Sequence, residues 1–143
     1  MIAVDTNILV YAHRKDAPFH AKAAACVQRL AEGHEQWAIP WPCAHEFLAI
    51  CTHPKIFKDP TPLPKALEQV QVWLLAPRLQ LLAEEENYLD VFMHTLRASQ
   101  VLGGRVHDAR IAALCMSHAV TELWTADRDF GRFTRLETRN PLI

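Results

Sequence analysis

The chain has 143 residues, half of them hydrophobic and 22% charged, and its formal net charge is -1. This composition excludes a disordered linker protein or a collagen-like repeat, and the length suits one compact domain over residues 1–143. The balanced charge removes the simple electrostatic case for a histone-like nucleic-acid binder, and no apolar run suggests a membrane span or a signal peptide.

The four cysteines are scattered along the chain, at Cys26, Cys43, Cys51 and Cys115. No pair has the spacing of a zinc ribbon or of a thioredoxin-like redox site. Buried free thiols are common in apolar helices, so we expect reduced cysteines and a cytoplasmic protein.

The first half of the chain predicts two strands, each followed by helical sequence. An apolar run at residues 1–4 is typical of a buried strand and leads into a short helix at 8–12, for which Asp5 or Thr6 is the available cap. Apolar residues at helical spacing predict a helix over His20–Glu32. A second strand is predicted at 37–39, followed by a helix with Pro42 in its first turn that ends before residue 54.

The second half continues the alternation after a proline-rich loop at residues 55–64. The predicted elements are a helix at 67–75, a strand at 79–82, a helix at 88–96 after three glutamates, a helix at 108–118 and a strand at 123–125. Strands that alternate with helices in this way predict a parallel or mostly parallel sheet covered by helices.

Acidic residues recur where such a fold would form a cleft. Asp5 follows the first strand, Asp127 and Asp129 follow the last, and Glu46 lies in the first turn of the helix after the second strand. Asp108 is expected to open the helix that precedes the last strand. Because ligands of open parallel sheets bind beyond the carboxyl ends of the strands, we expect these acids to share one cleft.

Each acid, taken singly, also has an ordinary structural explanation. Asp5 and Asp108 suit helix caps, Glu46 suits a helix N-terminus, and the residues at 127 and 129 suit a turn. The coincidence of their positions favours the cleft. Two carboxylates about 4 Å apart repel by roughly 4 kcal/mol, so a cluster must hold protons or cations. Oxygen ligands favour Mg²⁺ or Mn²⁺ over zinc, which is the arrangement of metal-assisted phosphodiester hydrolysis.

Four segments of the chain together resemble the PIN-domain family, and within it the VapC toxins abundant in mycobacteria and other actinobacteria. They are VDTNILVY at residues 4–11, PCAHEF at 42–47, VHDARIAAL at 106–114 and TADRDF at 125–130. The resemblance covers essentially the whole chain and implies a three-layer α/β/α sandwich with a mostly parallel sheet of four or five strands. It also implies a Mg²⁺- or Mn²⁺-dependent endoribonuclease with one or two ions, a homodimer, and inhibition by a VapB-like antitoxin.

The same resemblance assigns roles to individual residues. Asp5 and Asp108 are implied as the principal metal ligands, and Glu46 completes the acidic pocket. The fourth acid is either Asp127 or Asp129, and Asp127 is preferred because it is nearer the strand end. The motif also includes Thr6 and Asn7, which would orient the first carboxylate or a water.

The chemistry that this implies is attack by water on RNA, which leaves 5′-phosphate and 3′-hydroxyl ends. Three arginines, Arg110, Arg128 and Arg132, are candidates for contact with the RNA backbone or are ordinary solvated charge. The alternative is a catalytically weak PIN scaffold that binds RNA or protein. A haloacid-dehalogenase-like phosphohydrolase is disfavoured because Asn7 stands where that family has a second aspartate.

Overall fold

A computed structural model describes all 143 residues. The chain forms five strands, six α-helices and one 3₁₀ helix. In chain order the elements are β1 (Ile2–Val4), α1 (Thr6–His13), α2 (His20–Glu32), β2 (Trp37–Pro40), α3 (Trp41–Cys51), α4 (Leu63–Leu74), β3 (Leu79–Leu82), α5 (Tyr88–Ser99), α6 (Arg105–Ser117), β4 (Glu122–Trp124), the 3₁₀ helix (Arg128–Arg132) and β5 (Thr138–Arg139).

The strands form one parallel sheet in the order β3-β2-β1-β4-β5, flanked by the helices. This confirms the predicted α/β class and parallel sheet. The chain runs from β1 outward through β2 to β3, and then returns to the other side of β1 to form β4. The order therefore reverses between β1 and β4, and the carboxyl ends of these two strands open a crevice suited to a ligand.

Both ends of the chain contribute to one hydrophobic core, whose buried residues include Ala3 near the start and Leu142 near the end. Helix α1 packs on α2 and α3, and α5 packs on α6. The four cysteines are buried and form no disulfide, as expected. None of the helices combines the length and the apolar character that a bilayer span requires.

Several predicted boundaries were wrong. Helix α1 begins at Thr6 and not at residue 8, and α3 begins at Trp41, so Glu46 lies in its second turn and not in its first. Helix α6 begins at Arg105, so Asp108 lies in its first turn and does not open the helix. Helix α4 begins at Leu63, so the preceding loop ends before Pro64, which lies in the first turn, where the missing N–H is tolerated. The last predicted strand ends at Trp124, one residue earlier than expected, and Thr125 follows it. Strand β5 was not located from the sequence.

Candidate active site

A cavity of about 190 Å³ opens at the carboxyl ends of β1 and β4. Its lining residues are Asp5, Thr6, Asn7, Glu46, Ile50, Asp108, Ile111, Asp127 and Phe130. The structure thus brings together the four acids that the sequence placed in one cleft, along with the two polar residues that follow the first of them. Asp129 does not line the cavity.

Asp5 is the innermost acid, because it directly follows β1 and caps α1. Its side chain is only 4% exposed. One carboxylate oxygen accepts the backbone N–H of Thr6 at 2.8 Å, and the other accepts the hydroxyl of Thr125 at 2.7 Å. Asn7 donates its amide to the same carboxylate at 3.3 Å, and the Cys43 thiol donates at 3.6 Å. These donors fix the carboxylate between the ends of β1 and β4.

Burial raises the pKa of Asp5 from 3.8 to about 6. The desolvated carboxylate would be costlier still without the hydrogen bonds from Thr125 and Thr6, which lower the pKa, while the nearby negative charge of Glu46 raises it. Asp5 is therefore an anion at neutral pH, in a buried site that disfavours the charged form. Such a site favours a cation beside the carboxylate.

Glu46 is oriented by a hydrogen bond between two helices. The Thr6 hydroxyl, at the start of α1, donates to Glu46 Oε2 in α3 at 2.8 Å. This bond leaves the second carboxylate oxygen of Glu46 without a hydrogen-bond partner in the protein. Thr6 is buried, so its hydroxyl is a fixed donor and not a solvated one.

Asn7 links the two loops that flank the crevice. Its side-chain oxygen accepts the backbone N–H of Ala126 at 3.1 Å, and its amide nitrogen lies 3.3 Å from the hydroxyl of Thr125. The loop after β4 is thereby tied to the start of α1. Thr125 contacts both Asp5 and Asn7. The sequence analysis gave Thr125 no role in the site, although this residue begins the segment TADRDF that carries the family resemblance.

The 3₁₀ helix separates Asp127, which the sequence analysis preferred as the fourth acid, from Asp129. Asp127 caps this helix by accepting the backbone N–H of Asp129 at 2.9 Å, and its carboxylate lines the cavity. Asp129 lies outside the cavity lining, and its carboxylate pairs with Arg105. Of the two, Asp127 is the one that shares the cavity with Asp5.

Arg105 is the cation of this site, and the sequence prediction did not single it out. Its guanidinium lies 3.0 Å from Asp108 Oδ2 and 3.8 Å from Asp127 Oδ2, and it also pairs with Asp129. The hydrogen bonds to Asp108 and Asp129 raise the pKa of Arg105 above its usual value. The one sequence signal was the spacing of three residues between Arg105 and Asp108 on a helix.

The three arginines expected at an RNA backbone do not gather at the cavity. Arg110 pairs with Glu84 at 2.8 Å and borders an adjacent cleft that shares Glu46 with the cavity. Arg128 is exposed and forms no ion pair. Arg132 lines a different cavity, next to Phe133.

The donors around the cavity suit a hard divalent cation in their chemistry, because the polar atoms of the four acids are all oxygen. In this arrangement no three acidic, histidine or cysteine side chains surround one point as a bound metal requires. In the same arrangement the Arg105 guanidinium contacts the carboxylates of Asp108 and Asp127. The donor set therefore fits a hard divalent ion in its chemistry.

Fold and site together define a class: a small α/β protein whose acidic pocket is built at the switch point of an open parallel sheet. The chain belongs to the PIN-domain family, because the PIN domain profile matches residues 2–136. Among its relatives, Ribonuclease VapC43 of Mycobacterium tuberculosis is 34% identical over 142 residues, which cover 99% of this chain and 96% of the relative. Ribonuclease VapC48 of the same organism is 29% identical over 137 residues, which cover 96% and 94%.

Solved structures show the same fold. A chain of VapBC2 from Rickettsia felis, crystallised with a DNA fragment from its promoter, aligns with a TM-score of 0.70 and 20% identity over 97% of this chain and 98% of that one. The sarcin-ricin-loop-cleaving toxin VapC20 of M. tuberculosis aligns with a TM-score of 0.63 and 14% identity, covering 92% and 93%. At these identities the likeness concerns the fold alone.

Proposed function

We propose that this chain is a Mg²⁺- or Mn²⁺-dependent endoribonuclease, acting as the toxin of a toxin–antitoxin pair through a single PIN domain over residues 1–143. The observation that carries the proposal is the gathering of Asp5, Glu46, Asp108 and Asp127 around one cavity at the switch point of the sheet. The relatives named as VapC ribonucleases match almost the whole chain and supply the substrate class, RNA.

In this proposal, Asp5 and Asp108 hold the metal, with Glu46 and Asp127 completing the set. The ion, when bound, polarises a phosphate oxygen and lowers the pKa of the attacking water. Asp5 contributes a carboxylate whose position is fixed by four donors and whose charge is poorly solvated. Glu46, held through one oxygen by Thr6, uses its other oxygen to orient the water for in-line attack.

Because water attacks, and not the ribose 2′-hydroxyl, the products carry a 5′-phosphate and a 3′-hydroxyl. This outcome needs no histidine as a base, and no histidine lines the cavity. A VapB-like antitoxin is the proposed inhibitor, in keeping with the VapBC complexes among the structural neighbours. Assembly as a homodimer remains a prediction from the family resemblance.

The main test replaces Asp108 with Asn, which keeps the side-chain size and removes the charge. We expect cleavage of total RNA in the presence of Mg²⁺ to fall by at least about 100-fold, as loss of a metal-binding carboxylate implies. Ligation-based sequencing of 5′-phosphate ends identifies the products of the wild-type protein and measures the loss. The matched control is Asp90→Asn, at an exposed aspartate of α5 that forms no ion pair.

Two results would contradict the proposal. A folded Asp108→Asn variant that cleaves RNA at the wild-type rate would remove the metal-ligand role. Wild-type protein that binds RNA but never cleaves it with either ion would favour the alternative, a PIN scaffold used for binding.

A second prediction concerns the hydroxyl that orients Glu46. Thr6→Val keeps the shape of this buried side chain and deletes the donor to Glu46 Oε2. We expect the RNA cleavage rate at saturating RNA to fall about tenfold while the KM for RNA changes little, as is typical when a supporting hydrogen bond is lost. Thr6→Ser keeps the hydroxyl and should cleave RNA at nearly the wild-type rate. A wild-type cleavage rate in Thr6→Val, together with a low rate in Thr6→Ser, would contradict the role of the hydroxyl.

A further inference from the structure

Arg105 makes the largest set of ion pairs in the protein. Its guanidinium contacts Asp108, Asp127 and Asp129, and two of these carboxylates line the acidic cavity. No other lysine or arginine forms an ion pair with an acid of the cavity. One positive charge is thus shared by three negative charges that lie on two separate segments, helix α6 and the capped start of the 3₁₀ helix.

The position of Arg105 puts it in competition with a metal ion. The oxygens that it contacts on Asp108 and Asp127 belong to two of the four carboxylates expected to hold the ion. A divalent cation and a guanidinium both need the lone pairs of these oxygens, and their positive charges repel each other. Because a guanidinium does not lose its proton in proteins, Arg105 can release these oxygens only by moving away from them.

Arg105 is also able to move. Its side chain is 40% exposed, and all of its charged partners are themselves partly exposed. Ion pairs of this kind are weak individually, because water competes for both partners. A guanidinium in this place can neutralise the acids when no ion is bound and turn toward solvent when one is.

We propose that Arg105 is the resident counter-cation of the pocket: it holds Asp108 and Asp127 apart from a metal ion in the metal-free protein, and metal binding displaces it. The concentration of divalent cation at which the site assembles is then set by Arg105 as well as by the four acids. This inference rests on the proposed metal-dependent function, since it takes the divalent ion as the competitor.

The experiment measures Mn²⁺ affinity directly, by isothermal titration calorimetry and by the electron paramagnetic resonance signal of free Mn²⁺. Arg105→Gln removes the charge and keeps a side-chain amide of similar length. We expect it to bind Mn²⁺ about fivefold to tenfold more tightly than the wild type, the size that two lost, partly exposed competing pairs imply. Without metal, the melting temperature should fall because three acids lose their partner, and added Mn²⁺ should restore it.

Arg110→Gln is the matched control. Arg110 lies on the same helix, is 39% exposed, and pairs with Glu84, which lines no part of the cavity. Its replacement changes the net charge by the same amount, so unchanged Mn²⁺ affinity would separate competition from a general charge effect. Arg105→Lys, whose single ammonium does not span three carboxylates, should give an intermediate affinity and serves if Arg105→Gln does not fold.

The outcomes distinguish this inference from the proposed function. If the wild type binds Mn²⁺ and Arg105→Gln binds it equally or more weakly, Arg105 is no competitor and the inference fails while the metal site stands. The inference fails in the same way if Arg110→Gln tightens binding as much as Arg105→Gln does. Mn²⁺ binding to neither the wild type nor any Arg105 variant would overturn both the inference and the metal-dependent function.

Discussion

Replacing Asp5 with Asn will strongly reduce RNA cleavage and, at neutral pH without divalent metal, will make the fold more stable. Burial raises the pKa of Asp5 to about 6, whereas the unfolded chain titrates near 3.8. The folded protein therefore binds a proton that the unfolded chain releases, and the stability associated with Asp5 is full below pH 3.8 and is lost as the pH rises through 6. Because Asn carries no charge, the Asp5→Asn variant does not lose this stability as the pH rises.

The size of the effect follows from the shift. The difference in unfolding free energy between Asp5→Asn and the wild type should grow by about 1–2 kcal/mol between about pH 5 and about pH 7.5. Part of the absolute gain is offset, because the Asn amide nitrogen does not accept the hydrogen bonds that Thr125 and Asn7 donate to the carboxylate. The growth with pH is therefore a cleaner measure than the gain at any one pH.

Urea unfolding in the presence of a chelator at both pH values measures this difference, and a cleavage assay with Mg²⁺ measures the loss of activity. We expect at least about a 100-fold loss for Asp5→Asn, comparable to that of Asp108→Asn. Asp90→Asn, at an exposed position in the first turn of α5, should cost less than about 1 kcal/mol and should not change the pH dependence between these two pH values. If the difference in unfolding free energy between Asp5→Asn and the wild type stayed constant across this pH range, burial would not destabilise the Asp5 carboxylate.

Strands and the crevice were predictable because their signals are local. The runs at β1, β2, β3 and β4 are short and mostly apolar, an acid follows β1 directly, and Asp127 lies three residues after the end of β4. Since parallel strands carry their carboxyl ends to one edge, the sequence places Asp5 and Asp127 at the same edge of the sheet. The strand order that puts β1 beside β4 was not predicted, because no local pattern specifies it.

The features that escaped prediction depend on contacts between distant segments. Strand β5 has two exposed residues, and only its pairing with β4 defines it. The start of α6 has no side-chain cap at Gly104, so nothing in the sequence marked Arg105 as helical. Arg105 also owes its role to Asp129, which is 24 residues away along the chain, and Thr125 reaches Asp5 across 120 residues.

The acids of the site differ in what holds their carboxylates in place. Asp5 is buried, and its neutral donors, Thr125, Asn7 and the backbone of Thr6, make its position independent of any ion. Asp108 and Asp127 are partly exposed and depend on the cation beside them. The site therefore combines one carboxylate that the protein fixes in place with two carboxylates whose only charged partner is Arg105, which is the arrangement that the proposed displacement of Arg105 by a metal ion requires.

The second large effect is expected in the core, at the residue that follows Glu46 in the sequence. Phe47 follows Glu46 in α3 and is fully buried. Its ring meets Trp73 of α4 edge-on, with 4.9 Å between centroids, and His13 of α1 at 5.3 Å. Phe47→Ala removes the ring that joins these three helices, and it should lower the unfolding free energy by about 3–5 kcal/mol.

Thermal or urea unfolding checks this value, and the melting temperature should fall by about 10 °C or more. The matched control is Leu75→Ala, at a residue that is 81% exposed just after α4, where the cost should stay within about 0.5 kcal/mol. Below its melting temperature Phe47→Ala should still cleave RNA, since Phe47 does not line the cavity. Asp5→Asn should therefore raise stability and lower RNA cleavage, whereas Phe47→Ala should lower stability and leave cleavage in place. If each variant lost both stability and cleavage, Asp5 would support the fold as well as the reaction, and the pocket and the core would unfold as one cooperative unit.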